Sequence, residues 1–573
     1  MMRISKEVIL RRLSPAALVT LVWVSTAILV NPVGEFPLND DWAYAWSVKV
    51  LLEQGTFRLS DWTATNLAPQ VVWGTLFCMP FGFSFTALRV STLVAGLAGL
   101  LATAGVLKET GGDRGAALLG LLAIAFNPLY LALSSSFNSD VPSFALFATA
   151  LYCITRGCVR QSQRFGLLGV GVAIVAVLQR QSNLLLLPSA GVAYLMSARK
   201  SPQTLVVAGV PTLLGLAAQF SYSHWLTVSG RRPLLYGLQV DGLVASVSRG
   251  PEAIAQTYAW NLVVILLYVG LFLFPVLMAA WVQRVRTLTP GMQIAALVST
   301  LMLTAVGVSL LGAERMPLMG NVLHRTGVGP LELEPLESSM DSAALARLTS
   351  VWQSLTILAV LGGVLLSQLV AIAARRVLQA RCRHTDVCLT ALVLSATALF
   401  FAGVGGLPRH LWFDRYLIPF LPLVITLTAL SGGRPGEEHV RKSTFTLTIG
   451  LIVIALMGAF SVPAVHDYLA MNRARVDVLD QAVGRFLVQP SEVDSGWEIA
   501  GWRFGNRIDT CNPGFDRANG LEARWEDFTC LYRGAQQAYG MSCRRRQDNH
   551  IVSQVSFRRW LPWRLDTVSL VRR

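Results

Sequence analysis

At 573 residues the chain is long enough for several soluble domains, but 53% hydrophobic and only 14% charged residues, with a mean hydropathy of +0.52, exclude a water-soluble globular surface. The formal net charge of +15 does not mark a nucleic-acid binder, because no basic segment is interleaved with aromatics on a polar face. It reflects membrane topology.

Apolar runs of about 17 to 25 residues, enough to cross a bilayer, recur from the N-terminus to about residue 464 and then stop. About thirteen spans are predicted: 14–32, 85–107, 115–133, 141–155, 165–179, 182–198, 203–222, 259–282, 290–312, 350–374, 387–406, 416–431 and 444–463. Basic residues fall in alternate connections: Arg3, Lys6, Arg11 and Arg12; Lys108 and Arg114; Arg156, Arg160 and Arg164; Arg199 and Lys200; Arg284 and Arg286; Arg375, Arg376, Arg381 and Arg383; Arg434, Arg441 and Lys442. Short cytoplasmic loops collect such residues, so the N-terminus is predicted in the cytoplasm and the C-terminal tail on the other side. The first span has no small-residue cleavage site after it and reads as a retained anchor. Lysine at only five positions, the other basic residues being arginine, points to a GC-rich bacterial genome and thus to a bacterial inner membrane.

The long connections 33–84, 223–258 and 313–349 and the tail from 464 all lie on the outer side. The predicted fold is an all-α polytopic membrane domain over 1–463, with interfacial helices in the outer loop 33–84, and a small mixed α/β extracytoplasmic domain over 464–573. Within the loop, 39–55 reads as a helix with Asn39 or Asp40 as N-cap and Gly55 as C-terminal stop. Its Trp42, Tyr44, Trp46 and Leu51 suit the membrane interface. The stretch 69–84 is apolar but broken by Pro80 and Gly82, and the tail opens with a helix over 466–487. No P-loop occurs, and Gly169-Val170-Gly171 lies inside a span without a flanking strand, so nucleotide binding is not indicated. Cys78, Cys153, Cys158, Cys382 and Cys388 read as small buried hydrophobes, whereas two of Cys511, Cys530 and Cys543 have the opportunity to pair in an oxidising compartment.

The residues able to carry chemistry cluster at the outer ends of spans. Asp40 and Asp41 open the loop helix, where the bland reading is an N-cap plus a dipole-stabilising carboxylate and the functional one a carboxylate pointing into a site. Adjacent residues do not share a helix face, so one is expected to point into a site while the other caps. Asp140, in SFNSDVP, begins a span, where a carboxylate has to be paired, capping or functional. Arg180, in LQRQSN, lies on the outer side against the charge rule. The segment 408–422, PRHLWFDRYLIPFLP, brings Arg409, His410, Asp414, Arg415 and Tyr416 to one span mouth. Local pairing of Asp414 with Arg415 is the bland reading there, and an arginine holding a lipid phosphate the functional one. Glu314, Arg315, His224 and His324 read as loop or interface residues.

Taken together, NDDWAYA at 39–45, SDVP at 139–142, LQRQS at 178–182 and FDRYLIPFLP at 413–422 resemble the GT-C membrane glycosyltransferases. The likeness is to the broad dolichyl-phosphate-mannose protein mannosyltransferase-like and aminoarabinose-transferase-like group. The tail stretches HDYLAMNRARVDVLDQAV and DSGWEIAGW resemble the periplasmic end of bacterial members. The group more often has Asp-Glu where this chain has Asp40-Asp41, which leaves open which carboxylate works. The resemblance implies Asp40 as base with Asp41 beside it, Arg415, Arg180 and Tyr416 as donor-phosphate residues, and Asp140 as a further site residue. It implies a polyprenyl-phosphate-linked sugar donor, membrane lipid and an extracytoplasmic acceptor as partners, with inversion at the sugar carbon. No cofactor is required by the sequence; Asp40, Asp41 and Asp140 are oxygen ligands of the type that suits Mg or Mn. The rival class is a transporter or lipid flippase with a non-catalytic outer domain, which would place ionisable groups mid-span.

Overall fold

The protein was analysed as a computed structural model, which describes residues 14–197, 201–282, 290–312, 315–329, 342–379, 384–431, 440–505, 538–543 and 550–572. Every predicted span coincides with helix. Among the described residues, nine helices are long and apolar enough to cross a bilayer, ten if the bent pair Arg114–Ala125 and Pro128–Ser134 counts as one, and Pro15–Val30 and Gln163–Gln179 are shorter apolar helices. The pair meets at 58° because Asn127 starts a new helix, its side chain accepting from the Leu129 and Tyr130 amides with Pro128 at the first helical position. Likewise 182–198 begins as the 3-10 turn Gln181–Leu185, and 259–282 divides between Phe272 and Phe274. The helices Pro251–Phe272 and Ser342–Gln379 meet backbone to backbone, since a Cβ at Gly270 would lie 2.3 Å from the Gly363 nitrogen. Leu21, Ile28, Leu205, Phe220, Leu301 and Leu456 face outward, as a lipid-exposed surface requires.

The loop 33–84 holds the helices Asp41–Gln54, ended by Gly55 at φ 62°, and Ala68–Cys78, which stops just short of Pro80. Trp42 and Tyr44 do not face headgroups as expected: they are 1% and 6% exposed, packed with Trp62, Val71 and Phe137. Arg89, fully buried near the start of the helix Phe85–Glu109, donates to the carbonyls of Pro32, Gly34 and Phe36 and so fixes the way into the loop.

At the other end, the expected helices 444–463 and 466–487 are one helix of 47 residues, Val440–Phe486, with Pro463 inside it. The expected boundary between membrane and outer domains therefore falls within a continuous helix. A four-stranded sheet packs on its C-terminal part, in the order Val493–Asp494, Tyr539–Ser542, Trp563–Arg572, Ile551–Trp560, with the first pair parallel and the others antiparallel. Val478, Leu479 and Ala482 of the helix share a core with Val493, Ile499, Phe557, Val568 and Leu570. Asp467 ties the hairpin turn to the helix by accepting from the Trp560 and Leu561 amides at 2.7 and 2.8 Å. Cys78, Cys153 and Cys388 are buried as expected. Cys382, Cys511, Cys530 and Glu314 lie outside the described residues, and with them the cysteine pairing.

Candidate active site

Asn39, at φ 52°, turns the chain into the helix Asp41–Gln54, and Asp40 occupies the N-cap without a capping side-chain bond. The next residue takes the structural part. Asp41, wholly buried, accepts from the Leu38 amide at 2.6 Å and from the Phe137 amide at 3.1 Å, which fastens the loop to the SFNSDVP segment. Burial raises its carboxyl to about 7, against the opposing pull of Arg89 and of the two amides. Of the adjacent carboxylates, Asp41 holds backbone and Asp40 is left to project.

Asp40 Oδ2 pairs with Arg415 Nη1 at 2.8 Å. The Arg415 side chain is 10% exposed and that of Asp40 30%, so the pair sits at the rim of a buried space rather than in bulk water. Arg415 is available because Asp414 does not neutralise it, contrary to the bland reading of the sequence. Asp414 is fully buried and accepts instead from the Val322 and Leu323 amides at 3.0 and 2.8 Å, anchoring the short hairpin Leu323–His324 with Gly327–Val328. Those two backbone donors meet its oxygens more completely than a neighbouring guanidinium on the same 3-10 turn.

A second ion pair lies alongside. Arg180 follows the C-terminus of the helix Gln163–Gln179, where a cation is favoured, and its Nη1 lies 2.5 Å from Asp140 Oδ1 and 3.0 Å from the Ser139 hydroxyl. Its guanidinium stands 5.6 Å from the centre of the Tyr416 ring. The Gln239 amide reaches the Tyr416 hydroxyl at 3.5 Å.

These groups surround a cavity of about 120 Å³ lined by Asp40, Ser139, Arg180, Arg415 and Tyr416, by Gln239 and Asn321, and by Trp42, Trp62, Phe413 and Trp497. Asp41 and Asp140 stand behind that wall and do not line it. The predicted metal set does not form. Asp41 faces two amides, Asp40 and Asp140 each face an arginine, and no group of three or more His, Cys, Asp or Glu arranged to hold a metal occurs among the described residues. Residues that the sequence reading missed include Gln239 and Asn321, which carry no signal beyond lying in long connections, and Ser139, which was within reach as the first residue of SDVP. Trp497 was within reach, since it stands in the tail stretch DSGWEIAGW.

Residues 68–225 match the dolichyl-phosphate-mannose-protein mannosyltransferase family. No curated protein matches the sequence. Among solved structures, the chain is similar to the oligosaccharyltransferase of Archaeoglobus fulgidus in its apo form, at 14% identity over 92% of this chain and 69% of that one, with a TM-score of 0.46. It is also similar to ArnT from Cupriavidus metallidurans bound to undecaprenyl phosphate, at 15% identity over 97% of each chain, with a TM-score of 0.37. The family match spans the SDVP and LQRQS segments and bears out the resemblance to GT-C membrane glycosyltransferases; the NDDWAYA and FDRYLIPFLP segments lie outside it.

Proposed function

We propose that this protein is a multi-pass membrane glycosyltransferase that moves a sugar from a polyprenyl-phosphate donor to an extracytoplasmic acceptor, with its N-terminus in the cytoplasm and its tail outside. The observation that carries this reading is the meeting of Asp40, Arg415, Arg180 and Tyr416 around one cavity at the outer ends of spans. A nucleotide sugar is not supplied on that side, so the sugar arrives on lipid. Phosphate leaves as a stable anion and asks for cationic stabilisation more than for protonation, which makes a single carboxylate base sufficient.

The acceptor hydroxyl oxygen bonds to the anomeric carbon as the bond from that carbon to the phosphate oxygen breaks, with inversion. The hydroxyl proton passes to Asp40, whose Oδ1 has no protein partner among the described residues while Arg415 holds Oδ2 in place. The electron pair of the broken bond stays with the polyprenyl phosphate, whose charge is met by Arg180 and Arg415 with Tyr416 between them. Asp140, through Arg180, positions the second cation. Since the three carboxylates do not gather, no step is routed through a metal.

The reading is tested by incubating the purified protein in vesicles with a panel of labelled polyprenyl-phosphate sugars and envelope acceptor fractions. Transfer of label to an acceptor with release of polyprenyl phosphate is expected. Absence of transfer across the panel overturns it, and movement of intact sugar-lipid between leaflets without transfer replaces it with the flippase reading.

A further inference from the structure

The apolar stretch of the long helix Val440–Phe486 gives way at His466 and Asp467 to polar sequence, and the hairpin of Ile551–Trp560 with Trp563–Arg572 is fastened there by its turn. Asp467 accepts from the Trp560 and Leu561 amides, and the Trp560 ring stacks on His466 with centroids 3.8 Å apart and planes at 9°. The open end of the hairpin lies further along the helix, where the Ser553 hydroxyl donates to Gln481 at 2.9 Å. Asp467 and Gln481 stand about 21 Å apart along the helix axis, so the hairpin runs beside the helix with its turn towards the bilayer. His466 follows Ile452, Ala455 and Ala459 at helical spacing, and these three side chains are exposed as a lipid-facing stripe. The turn stands at the end of that stripe.

The side chains near the turn match that level. The register sets Trp563 opposite Trp560 and Leu565 opposite Arg558, while Phe557 and Val568, on the other face, are buried in the core shared with the helix. Trp563 and Leu565 are each 70% exposed. The Arg558 guanidinium stands 5.6 Å from the centre of the Trp563 ring and has no acidic partner among the described residues, whereas Asp566 takes up Arg559 and Arg564 at 2.7 and 2.8 Å. An indole sits well at headgroup depth, a leucine beside it reaches the acyl boundary, and a free guanidinium bonds phosphate.

We propose that the turn of this hairpin is seated in the headgroup layer of the bilayer, with Trp563 and Leu565 entering it and Arg558 bonded to a phospholipid phosphate. A lipid surface fits these residues better than a protein partner does, because they stand at the level of the bilayer itself. The contact is independent of the reaction that the cavity serves, but it bears on the site. In the same sheet, Val493–Asp494 leads to Glu498, which is fully buried, pairs with Arg475 at 2.8 Å and accepts from the Asn39 amide at 3.4 Å, one residue before Asp40. A tail seated on the membrane through its hairpin is held where it braces that turn.

The full-length protein is placed in nanodiscs of equal parts phosphatidylglycerol and phosphatidylcholine carrying distinguishable labels, with the photo-cross-linker p-benzoylphenylalanine at position 563, 565 or 556. Ser556 is exposed on the same face but about 14 Å up the strand from the turn, beyond the depth of a headgroup layer. All three positions carry exposed side chains, and thermal melting like that of the wild type is expected of each variant. Capture of lipid at 563 and 565 but not at 556 is expected, and Arg558→Gln should lower the ratio of phosphatidylglycerol to phosphatidylcholine captured at 565 by up to about fivefold. Equal capture at all three positions overturns the proposal, as does cross-linking of 563 and 565 to protein in place of lipid. A ratio unmoved by Arg558→Gln overturns the phosphate contact.

Discussion

Replacing Asp40 by asparagine changes one oxygen to an amide at nearly constant shape. Two consequences separate cleanly. Loss of a general base typically costs 10² to 10⁴ in rate, or about 3 to 5 kcal/mol of barrier. The stability cost is smaller. Breaking a fully buried ion pair costs about 3 to 5 kcal/mol and an exposed one about 0 to 1. The Asp40 side chain is 30% exposed, and the asparagine oxygen can still accept from Arg415 Nη1. An intermediate loss of about 1 to 2 kcal/mol follows. Sugar transfer from a polyprenyl-phosphate donor, donor affinity and thermal unfolding are to be measured on one preparation. The expected pattern is a collapse of kcat with donor binding retained and a melting temperature lower by a few degrees. Transfer at the wild-type rate would refute the base assignment. A kcat loss matched by an equal loss of folded protein would show that the pair acts only structurally.

Three further outcomes follow from the same geometry. Asp41 has its carboxyl raised from an ordinary 3.8 to about 7, so the stability it contributes is fully present below pH 3.8 and is lost as pH rises through 7. Asp41→Asn should remove that pH-dependent component, up to about 4 kcal/mol, and flatten the melting temperature between pH 4 and 8. An unchanged pH profile would show that the carboxyl titrates normally. Glu498→Ala leaves Arg475, whose side chain is 1% exposed, buried without its partner carboxylate and should destabilise by about 3 to 5 kcal/mol in a chemical denaturation series, with transfer lost in step. A melting curve like that of the wild type would deny the tail its anchoring role. Treatment with a strong chelator should leave transfer unchanged, because Asp40 at the cavity and Asp140 behind it are each engaged by an arginine; activity lost and then restored by Mg or Mn would require a different ligand set.

Spans and the Gly55 stop were legible because hydropathy and helix signals are local: the helix Asp41–Gln54 ends at Gly55, where the sequence places its stop. Partner choice was not. Asp40 and Arg415 lie 375 residues apart, and nothing along the chain says that this arginine answers to that carboxylate rather than to its neighbour Asp414. Adjacency misled there, because burial makes backbone amides of a distant hairpin the stronger claim on Asp414. The three carboxylates offered as metal ligands were likewise turned towards different partners by the fold. The end of the apolar runs near 464 was read as a boundary between membrane and tail, yet the change of polarity falls within the continuous helix Val440–Phe486. The interfacial reading of Trp42 took amphipathic composition for lipid contact, whereas the tail supplies the aromatic partner.

The bond from Asn39 to Glu498 closes a loop of 459 residues. During synthesis the acidic turn is made hundreds of residues before the segment that braces it. A ribosome that stops short of Trp497 releases a chain with its spans in place and both arginine pairs available, but with the wall of the cavity missing. Synthesis past Glu498 is therefore the step that closes the cavity, and a chain that stops before it keeps both ion pairs without the bond that braces the Asn39 turn.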